Sequence, residues 1–283
     1  MIAFLGTGLL GANFTKALLK KGEKVNVWNR TFEKAKALEQ FGAKAFENPA
    51  DAVKGVDHIH IIVSDDEAVE EVLAKASSGF EKGAIIIDHT TTSATGATKR
   101  SVYWKGKGFP YIHAPVFMGP PNALDSTGIM MVSGDQSIIK TIEKELSGMT
   151  GKLWNLGDLP NKAAAIKLLG NLFHISLTAG VVDLVTLAGS LNIAIEELGT
   201  LLENINPSAV AQGRLKKIAS KSFDQPSWEL SMARKDARLM MEQAASTQKT
   251  LMVVPAVAKK MDFWLEKGHA KNDWTIISKD AIE

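Results

Sequence analysis

The feature that most constrains the fold of this chain is a glycine turn that directly follows a short apolar run. Residues 2–6 read Ile-Ala-Phe-Leu-Gly, which is typical of a short buried strand. The turn reads Gly6-Thr7-Gly8-Leu9-Leu10-Gly11 and leads into a helical pattern. In this context the glycines permit a tight turn, close approach of a ligand and close packing of helix on strand. Because free amides at a helix N-terminus bind phosphates, these six residues predict a dinucleotide site.

Short apolar runs alternate with helical patterns over the first half of the chain. Strands are predicted at about 2–6, 25–28, 58–63, 84–88, 111–114 and 129–132, and helices between them include 32–41 and 66–76. This alternation predicts an α/β fold, a doubly wound parallel sheet with helices on both faces. We assign residues 1–160 to this domain.

The second half of the chain has helical patterns and almost no strand pattern. Helices are predicted at about 162–190, 195–204, 207–220, 228–246 and 250–267. The stretch 162–190 is apolar around most of its circumference, so we expect it to be buried between domains or between subunits. Residues 161–283 therefore form a predicted all-α C-terminal domain, with this helix as the long interdomain helix. A homodimer and a homotetramer both fit such a helix.

Composition argues against several classes of function. The 33 basic and 31 acidic residues nearly cancel, so we expect no partner that binds by bulk charge, neither nucleic acid nor membrane. The absence of cysteine excludes disulfides, thiolate metal sites and a cysteine nucleophile, and we predict no metal site. The first residues lack the basic region of a secretory signal, and we expect no uninterrupted apolar stretch long enough to span a bilayer. The expected location is the cytoplasm.

The residues after the second predicted strand indicate which dinucleotide binds. An acidic residue there would accept the ribose 2′-hydroxyl of NAD, but the chain has Asn29-Arg30-Thr31, with Lys34 soon after. Arg30 and Lys34 can pair with a 2′-phosphate, and the Thr31 hydroxyl can donate to it. The alternative is a solvated basic face. We expect NADP(H) as the cofactor.

Polar residues also follow the later strands, at the sheet edge where an open parallel sheet binds its ligand. Ser64 follows one strand, which ends at Val63 beside the same edge, and Thr91 and Thr92 follow another. These hydroxyls can position a ribose, an amide or a substrate, and as an alternative they cap the next helix.

Two charged positions in the helical half also stand out. Lys167 lies in the most apolar helix of the chain, with Gly170 and Asn171 on the following turn. Lysine is rarely buried without a reason, and Asn171 at i+4 shares its face. The alternative is a lysine whose ammonium reaches the surface. By pattern alone, Lys235-Asp236 is typical of a solvated helix face.

Taken together, these motifs resemble the β-hydroxyacid dehydrogenases, which include 3-hydroxyisobutyrate dehydrogenase and the glyoxylate/succinic semialdehyde reductases. The opening glycine turn, Asn29-Arg30-Thr31, Asp88-His89-Thr90-Thr91, Lys167-Leu-Leu-Gly-Asn171 and Lys235-Asp236 carry the resemblance in the family's order. The resemblance implies a Rossmann domain, a long interdomain helix and a helical domain that contributes to oligomerisation. It also implies that Thr91 lies near the nicotinamide and that Lys235 reaches the cofactor. Lys167 would be the catalytic acid–base group, and Asn171 would orient the substrate.

The substrate loop departs from the family's Asp-Ala-Pro-Val-Ser-Gly-Gly, since it reads His113-Ala-Pro-Val-Phe117-Met118-Gly119. Apolar Phe117 and Met118 replace groups that would hold a substrate carboxylate. The leading expectation is an NADPH-dependent reductase of a small carbonyl compound, a semialdehyde or keto acid, with Thr92 and residues 117–119 at the substrate. An NADPH-dependent imine reductase and a non-catalytic NADP-binding scaffold remain the alternatives.

Overall fold

A computed structural model describes all residues from Met1 to Glu283 and divides them into two compact units, Met1–Leu172 and Phe173–Glu283. The first unit is built on a six-stranded parallel sheet with the order β3-β2-β1-β4-β5-β6. Its strands are β1 (Ile2–Leu5), β2 (Val25–Trp28), β3 (Lys44–Phe46), β4 (His58–Ile61), β5 (Ile85–Asp88) and β6 (Tyr111–His113). The order reverses direction between β1 and β4, and a crevice opens beyond the carboxyl ends of strands at such a point. The predicted parallel α/β sheet is therefore confirmed.

Apolar side chains fill both faces of this sheet. Phe4 on β1 belongs to one buried cluster and its neighbour Leu5 to the other, because successive side chains of a strand point to opposite faces. The helices of this unit are α1 (Leu9–Lys20), α2 (Phe32–Lys36), α3 (Pro49–Ala52), α4 (Asp66–Ala76), α5 (Ala94–Gly106), α6 (Pro120–Asp125) and α7 (Gln136–Gly148). The segment predicted as one helix over 32–41 is instead α2 followed by a 3₁₀ turn at Glu39–Phe41.

A small second sheet lies in the same unit. It contains β7 (Val116–Phe117), β8 (Ile129–Val132) and β9 (Lys152–Asn155), with β7 antiparallel to β8 and β8 parallel to β9. The sequence placed 129–132 in the main parallel sheet, which is wrong. Periodicity identifies a strand but carries no information about its partner, which here is the short strand of the substrate loop.

The rest of the chain is helical, as predicted. A long helix, α8 (Lys162–Ser190), begins in the first unit and continues into the second. The remaining helices are α9 (Glu197–Ile205), α10 (Pro207–Ala219), α11 (Leu230–Ser246), α12 (Val254–Glu266) and α13 (Lys279–Ile282). The second unit has its own apolar core, which includes Leu230, Met261 and Trp264. The sequence places the domain boundary at residue 160, where α8 is about to begin.

Several apolar side chains of α8 are exposed in the single chain, and the expected burial of this helix between subunits stays a prediction. Leu169, Leu172 and Ile175 are 60%, 61% and 69% exposed in the single chain. By length and composition alone, α8 is also able to cross a membrane. The expectation from the sequence concerned uninterrupted apolar stretches, and α8 carries Lys167 and Asp183. One such helix is weak evidence for a membrane span, because core helices of soluble proteins meet the same criterion.

Candidate functional site

The glycine turn connects β1 to α1 at the point where the strand order reverses. Gly6 has a φ of +98°, and a Cβ at this position would lie 2.1 Å from the carbonyl oxygen of Ile62. A Cβ on Gly11 would lie 1.9 Å from the carbonyl oxygen of Gly6. These two glycines are therefore required by the packing of the turn itself. Gly8 is different, because a Cβ there would meet no protein atom within 4 Å.

The space in front of Gly8 faces the N-terminus of α1. Gly8 is the N-cap residue, and no side chain caps the helix. The first amides of a helix have no partner within the helix, and they attract anions. The buried hydroxyl of Thr7 also has no hydrogen-bond partner, while its amide donates to Asn29 Oδ1 at 3.0 Å. Uncapped amides and an open backbone fit a dinucleotide pyrophosphate.

A cleft of about 640 Å³ begins at this turn. Of the residues predicted to bind the cofactor, eleven line it: Gly6, Gly8, Leu9, Leu10, Gly11, Asn29, Arg30, Thr31, Lys34, Val63 and Ser64. Met118 from the substrate loop also lines the cleft. A groove of similar volume, about 680 Å³, lies between α4 and α5, so size alone does not identify the cofactor site.

One wall of the cleft was missed by the sequence reasoning. Helix α4 contributes Ala68, Glu71, Val72 and Lys75 to the lining. Glu71 accepts a hydrogen bond from Lys75 Nζ at 2.5 Å, and this bond lowers the pKa of Glu71. A carboxylate therefore does lie in the cleft that holds Arg30, although none is present at the strand tip. The helical spacing of α4 offered no signal for this, because charges four residues apart are common on solvated faces.

Thr91 and Thr92 lie beyond the end of β5, and neither lines the cleft. Thr91 is exposed, as a residue facing a ligand would be. Thr92 is 4% exposed, and its hydroxyl lies 3.3 Å from His113 Nε2. The cap of the next helix, α5, is Ser93 rather than Thr92, and contact of Thr92 with a substrate stays a prediction.

The substrate loop is packed against α8 through Phe117. A Cβ on Gly170 would lie 2.2 Å from Phe117 Cζ, so the aromatic ring occupies the space that the glycine leaves. The Lys167 ammonium lies 4.3 Å from the centre of the same ring. Because Met118 lines the cofactor cleft, residues 117 and 118 connect that cleft with Lys167. Gly119 follows as the N-cap of α6.

Partial burial lowers the pKa of Lys167 below its ordinary value. A lysine with a lowered pKa exchanges its proton more readily near neutral pH. Asn171 is half-buried one turn further along α8, on the same face. Lys235 lies in the second unit, where its Nζ pairs with Asp236 Oδ1 at 2.7 Å. Its role toward a cofactor stays a prediction.

A buried histidine network lies behind the site and was also missed. His60 Nε2 and His58 Nδ1 lie 2.8 Å and 2.7 Å from the two carboxylate oxygens of Glu145 on α7. On its other side, His60 Nδ1 lies 2.9 Å from His89 Nε2, and His89 Nδ1 donates to the Ala114 carbonyl at 2.8 Å. Through these contacts, Glu145 on α7 is connected by way of His60 and His89 to Ala114 in the substrate loop. The alternating pattern His58-Ile-His60 showed only that the two rings share a face.

Comparison with known proteins also indicates a dinucleotide-binding domain in the part of the chain that forms the cleft. Residues 1–157 match the family model described as the NAD binding domain of 6-phosphogluconate dehydrogenase. The chain is 27% identical to glyoxylate/succinic semialdehyde reductase 1 of Arabidopsis thaliana over 252 residues, which cover 85% of this chain and 84% of that protein. It is 29% identical to the cytokine-like nuclear factor N-PAC of Homo sapiens over 245 residues, or 84% of this chain. The chain matches only 43% of the length of N-PAC.

The fold is also similar to that of solved structures. The imine reductase from Myxococcus stipitatus in complex with NADP+ superimposes with a TM-score of 0.89, covering 99% of each chain at 20% sequence identity. At that identity the likeness concerns the fold alone. It agrees with the parallel sheet followed by helices described above.

Proposed function

This chain belongs to the β-hydroxyacid dehydrogenase family, and on that basis we propose that it is an NADPH-dependent reductase of a small carbonyl compound. The observation that carries the proposal is the position of Lys167. Its ammonium lies over the ring of Phe117, and the next residue, Met118, lines the cofactor cleft. Partial burial lowers the pKa of Lys167. NADPH, when bound, supplies the hydride. The glycine turn would hold its pyrophosphate, and Arg30, Thr31 and Lys34 its 2′-phosphate.

The chain's own residues account for the proton. When a carbonyl carbon receives a hydride, its oxygen gains negative charge and takes up one proton to give the alcohol. Lys167 Nζ would donate that proton, and in the reverse direction it would accept it. Asn171, on the same face of α8, would orient the carbonyl oxygen by a hydrogen bond.

An imine substrate is the second candidate, and the contact between Phe117 and Gly170 favours it. The aromatic ring fills the space beside Lys167 and presents an apolar surface without a hydrogen-bond donor. Such a surface does not hold a carboxylate, whereas a neutral ring compound would pack against it.

Steady-state oxidation of NADPH with aldehydes, keto acids and cyclic imines tests both candidates. We expect carbonyl turnover that Lys167→Ala lowers by about 10²-fold or more, while NADPH affinity is kept. Lys162→Ala is the matched control, since Lys162 is an exposed lysine at the start of the same helix, and it is expected to retain full activity. Turnover of imines alone would replace the proposal with the second candidate. NADPH binding without turnover of any compound would favour a non-catalytic scaffold.

We also propose that the chain is a homo-oligomer that covers α8. The exposed apolar side chains of this helix, among them Leu169, Leu172 and Ile175, would leave water on association. Sedimentation equilibrium is expected to give a dimer or tetramer, and Leu172→Glu is expected to shift it toward the monomer. A monomeric wild-type chain would refute this assembly.

A further inference from the structure

The short segment that carries Thr91 is held at both ends by carboxylates. At one end, the amide of Thr90 donates to Asp88 Oδ1 at 2.8 Å. At the other end, the amide of Ser93 donates to Asp66 Oδ2 at 2.8 Å. Asp88 belongs to β5 and Asp66 to α4, so the two anchors come from different elements.

Arg100, on α5, joins these two anchors. Its Nη1 donates to Asp66 Oδ1 at 2.7 Å, and its Nε donates to the Tyr111 hydroxyl at 2.9 Å. The Tyr111 hydroxyl in turn donates to Asp88 Oδ2. A continuous path of polar contacts therefore runs beneath the segment, from one anchored amide to the other.

The charges in this path are fixed by burial and pairing. Arg100 is 3% exposed and Asp88 is fully buried. Burial opposes the charge on Arg100, but its hydrogen bonds to Tyr111 and Asp66 and the charge of Asp88 outweigh this effect and raise the pKa of the guanidinium. Burial, and then the charge of Asp88, raise the pKa of Tyr111 well above its usual value, so the phenol keeps its proton and donates. Removing one member would take a hydrogen-bond partner from each of its neighbours, which is costly for a buried group.

Thr90 is held at every polar atom. Its carbonyl accepts from His113 Nε2 at 2.9 Å, and its hydroxyl oxygen accepts from the Val63 amide at 3.1 Å. Burial lowers the pKa of His113, which keeps this ring neutral. The exposed side chain of Thr91 is thus presented from a backbone that has little freedom to move.

From this arrangement we propose that Arg100 is a positioning residue for the nicotinamide end of the cofactor site. Through Asp66 on one side and Tyr111 on the other, it fixes the backbone on both sides of Thr91. The inference rests on the proposed NADPH-dependent function. It assigns Arg100 no contact with the cofactor and no effect on the adenosine end. Arg30 and Lys34 would bind that end after β2, across the point where the strand order reverses from β5.

The test uses Tyr111→Phe, which removes only the hydroxyl that links Arg100 to Asp88. The full-length chain is titrated with NADPH and with adenosine 2′,5′-bisphosphate, a fragment that lacks the nicotinamide. Tyr103→Phe is the matched control, because Tyr103 is an exposed tyrosine on α5 that loses the same atom. Emission of the bound nicotinamide is recorded together with the dissociation constants.

Tyr111→Phe is expected to weaken NADPH binding by about 3- to 10-fold, the effect of one hydrogen bond, and to shift the nicotinamide emission toward that of free NADPH. Fragment affinity is expected to stay within about 2-fold, and Tyr103→Phe is expected to change neither ligand. Equal weakening of both ligands, or no effect on either, would overturn the positioning role.

Arg100→Lys provides a second variant that keeps the charge. A lysine lacks the planar fork, so it is unable to bridge Asp66 and Tyr111 together. Loss of NADPH affinity with retained fragment binding is again expected, and wild-type affinity for both ligands would overturn the inference. If the wild-type chain binds neither ligand, the proposed cofactor is wrong and the inference is overturned with it, a result distinct from selective loss in a variant.

Discussion

Replacement of His89 by phenylalanine is expected to flatten the pH dependence of stability in the sheet-containing unit. The His89 ring is 2% exposed, and its Nδ1 donates to the Ala114 carbonyl. Burial lowers the pKa of His89 to about 3, and the neighbouring His60 acts in the same direction. The other titratable groups around the ring have smaller effects: His113 lowers the pKa of His89 further, and Glu145 raises it.

The magnitude follows from proton linkage. A histidine in an unfolded chain has a pKa of about 6.5, so between pH 6.5 and 3 the unfolded chain binds a proton that folded His89 does not. The free energy of unfolding therefore decreases as the pH is lowered through that window, by about 1.4 kcal/mol per pH unit. Between pH 7 and pH 5 the contribution of His89 amounts to about 2 kcal/mol.

His58 has the opposite sign and serves as the contrast. The hydrogen bond to Glu145 raises the pKa of His58 despite its partial burial. The folded chain then holds this proton more tightly than the unfolded chain, and the resulting stabilisation is lost as pH rises through the folded pKa. His58→Gln is therefore expected to steepen the loss of stability between pH 7 and pH 5.

Hydrogen exchange of peptides covering β1, β4 and β5 is the suitable assay, because a chain of two units has no single free energy of unfolding. In His89→Phe, the added ring keeps the stack with Phe4 and Phe14, whose centroids lie 6.1 Å and 5.6 Å from that of His89. The protection of these strands is expected to vary by about 2 kcal/mol less than in wild type between pH 7 and pH 5. If the protection of wild type and His89→Phe falls equally between pH 7 and pH 5, the assigned pKa of His89 is wrong. If His58→Gln loses less protection than wild type, the assigned direction for His58 is wrong.

Three further outcomes are expected. Arg30→Ser is expected to weaken NADPH binding by about 10-fold or more and leave NADH binding nearly unchanged, as measured by fluorescence titration, because a charged hydrogen bond to phosphate is lost. Gly170→Ala is expected to lower kcat without changing the dissociation constant of NADPH, because the new methyl group collides with Phe117. The added change Phe117→Ala removes this collision, so it is expected to restore the folding stability that the collision costs, but not substrate preference. Asp183→Ala is expected to lower the melting temperature of the helical unit, at a cost of about 2–3 kcal/mol, because its carboxylate accepts from three amides at the start of α12.

The parts of the site that lie within one short segment could be predicted from the sequence. A pyrophosphate site needs one continuous strand, turn and helix, so residues 6–11 could be identified from their spacing, and all of them except Thr7 line the cleft in the structure. Arg30 and Lys34 could likewise be identified as candidate 2′-phosphate ligands, because both lie within a few residues of the end of β2. The alternation of strands and helices was sufficient to predict the parallel sheet, because the period of apolar residues reports each element directly.

Contacts between residues far apart in the chain became visible with the folded structure. Arg100 contacts Asp66 across 34 residues, and His60 contacts Glu145 across 85. Each of these side chains has an ordinary solvated reading in its own segment, so periodicity contains no signal for the contact. The partner of β8 was mistaken for the same reason. Pairing and burial depend on what the rest of the chain brings to a surface, and a local pattern carries no information about it.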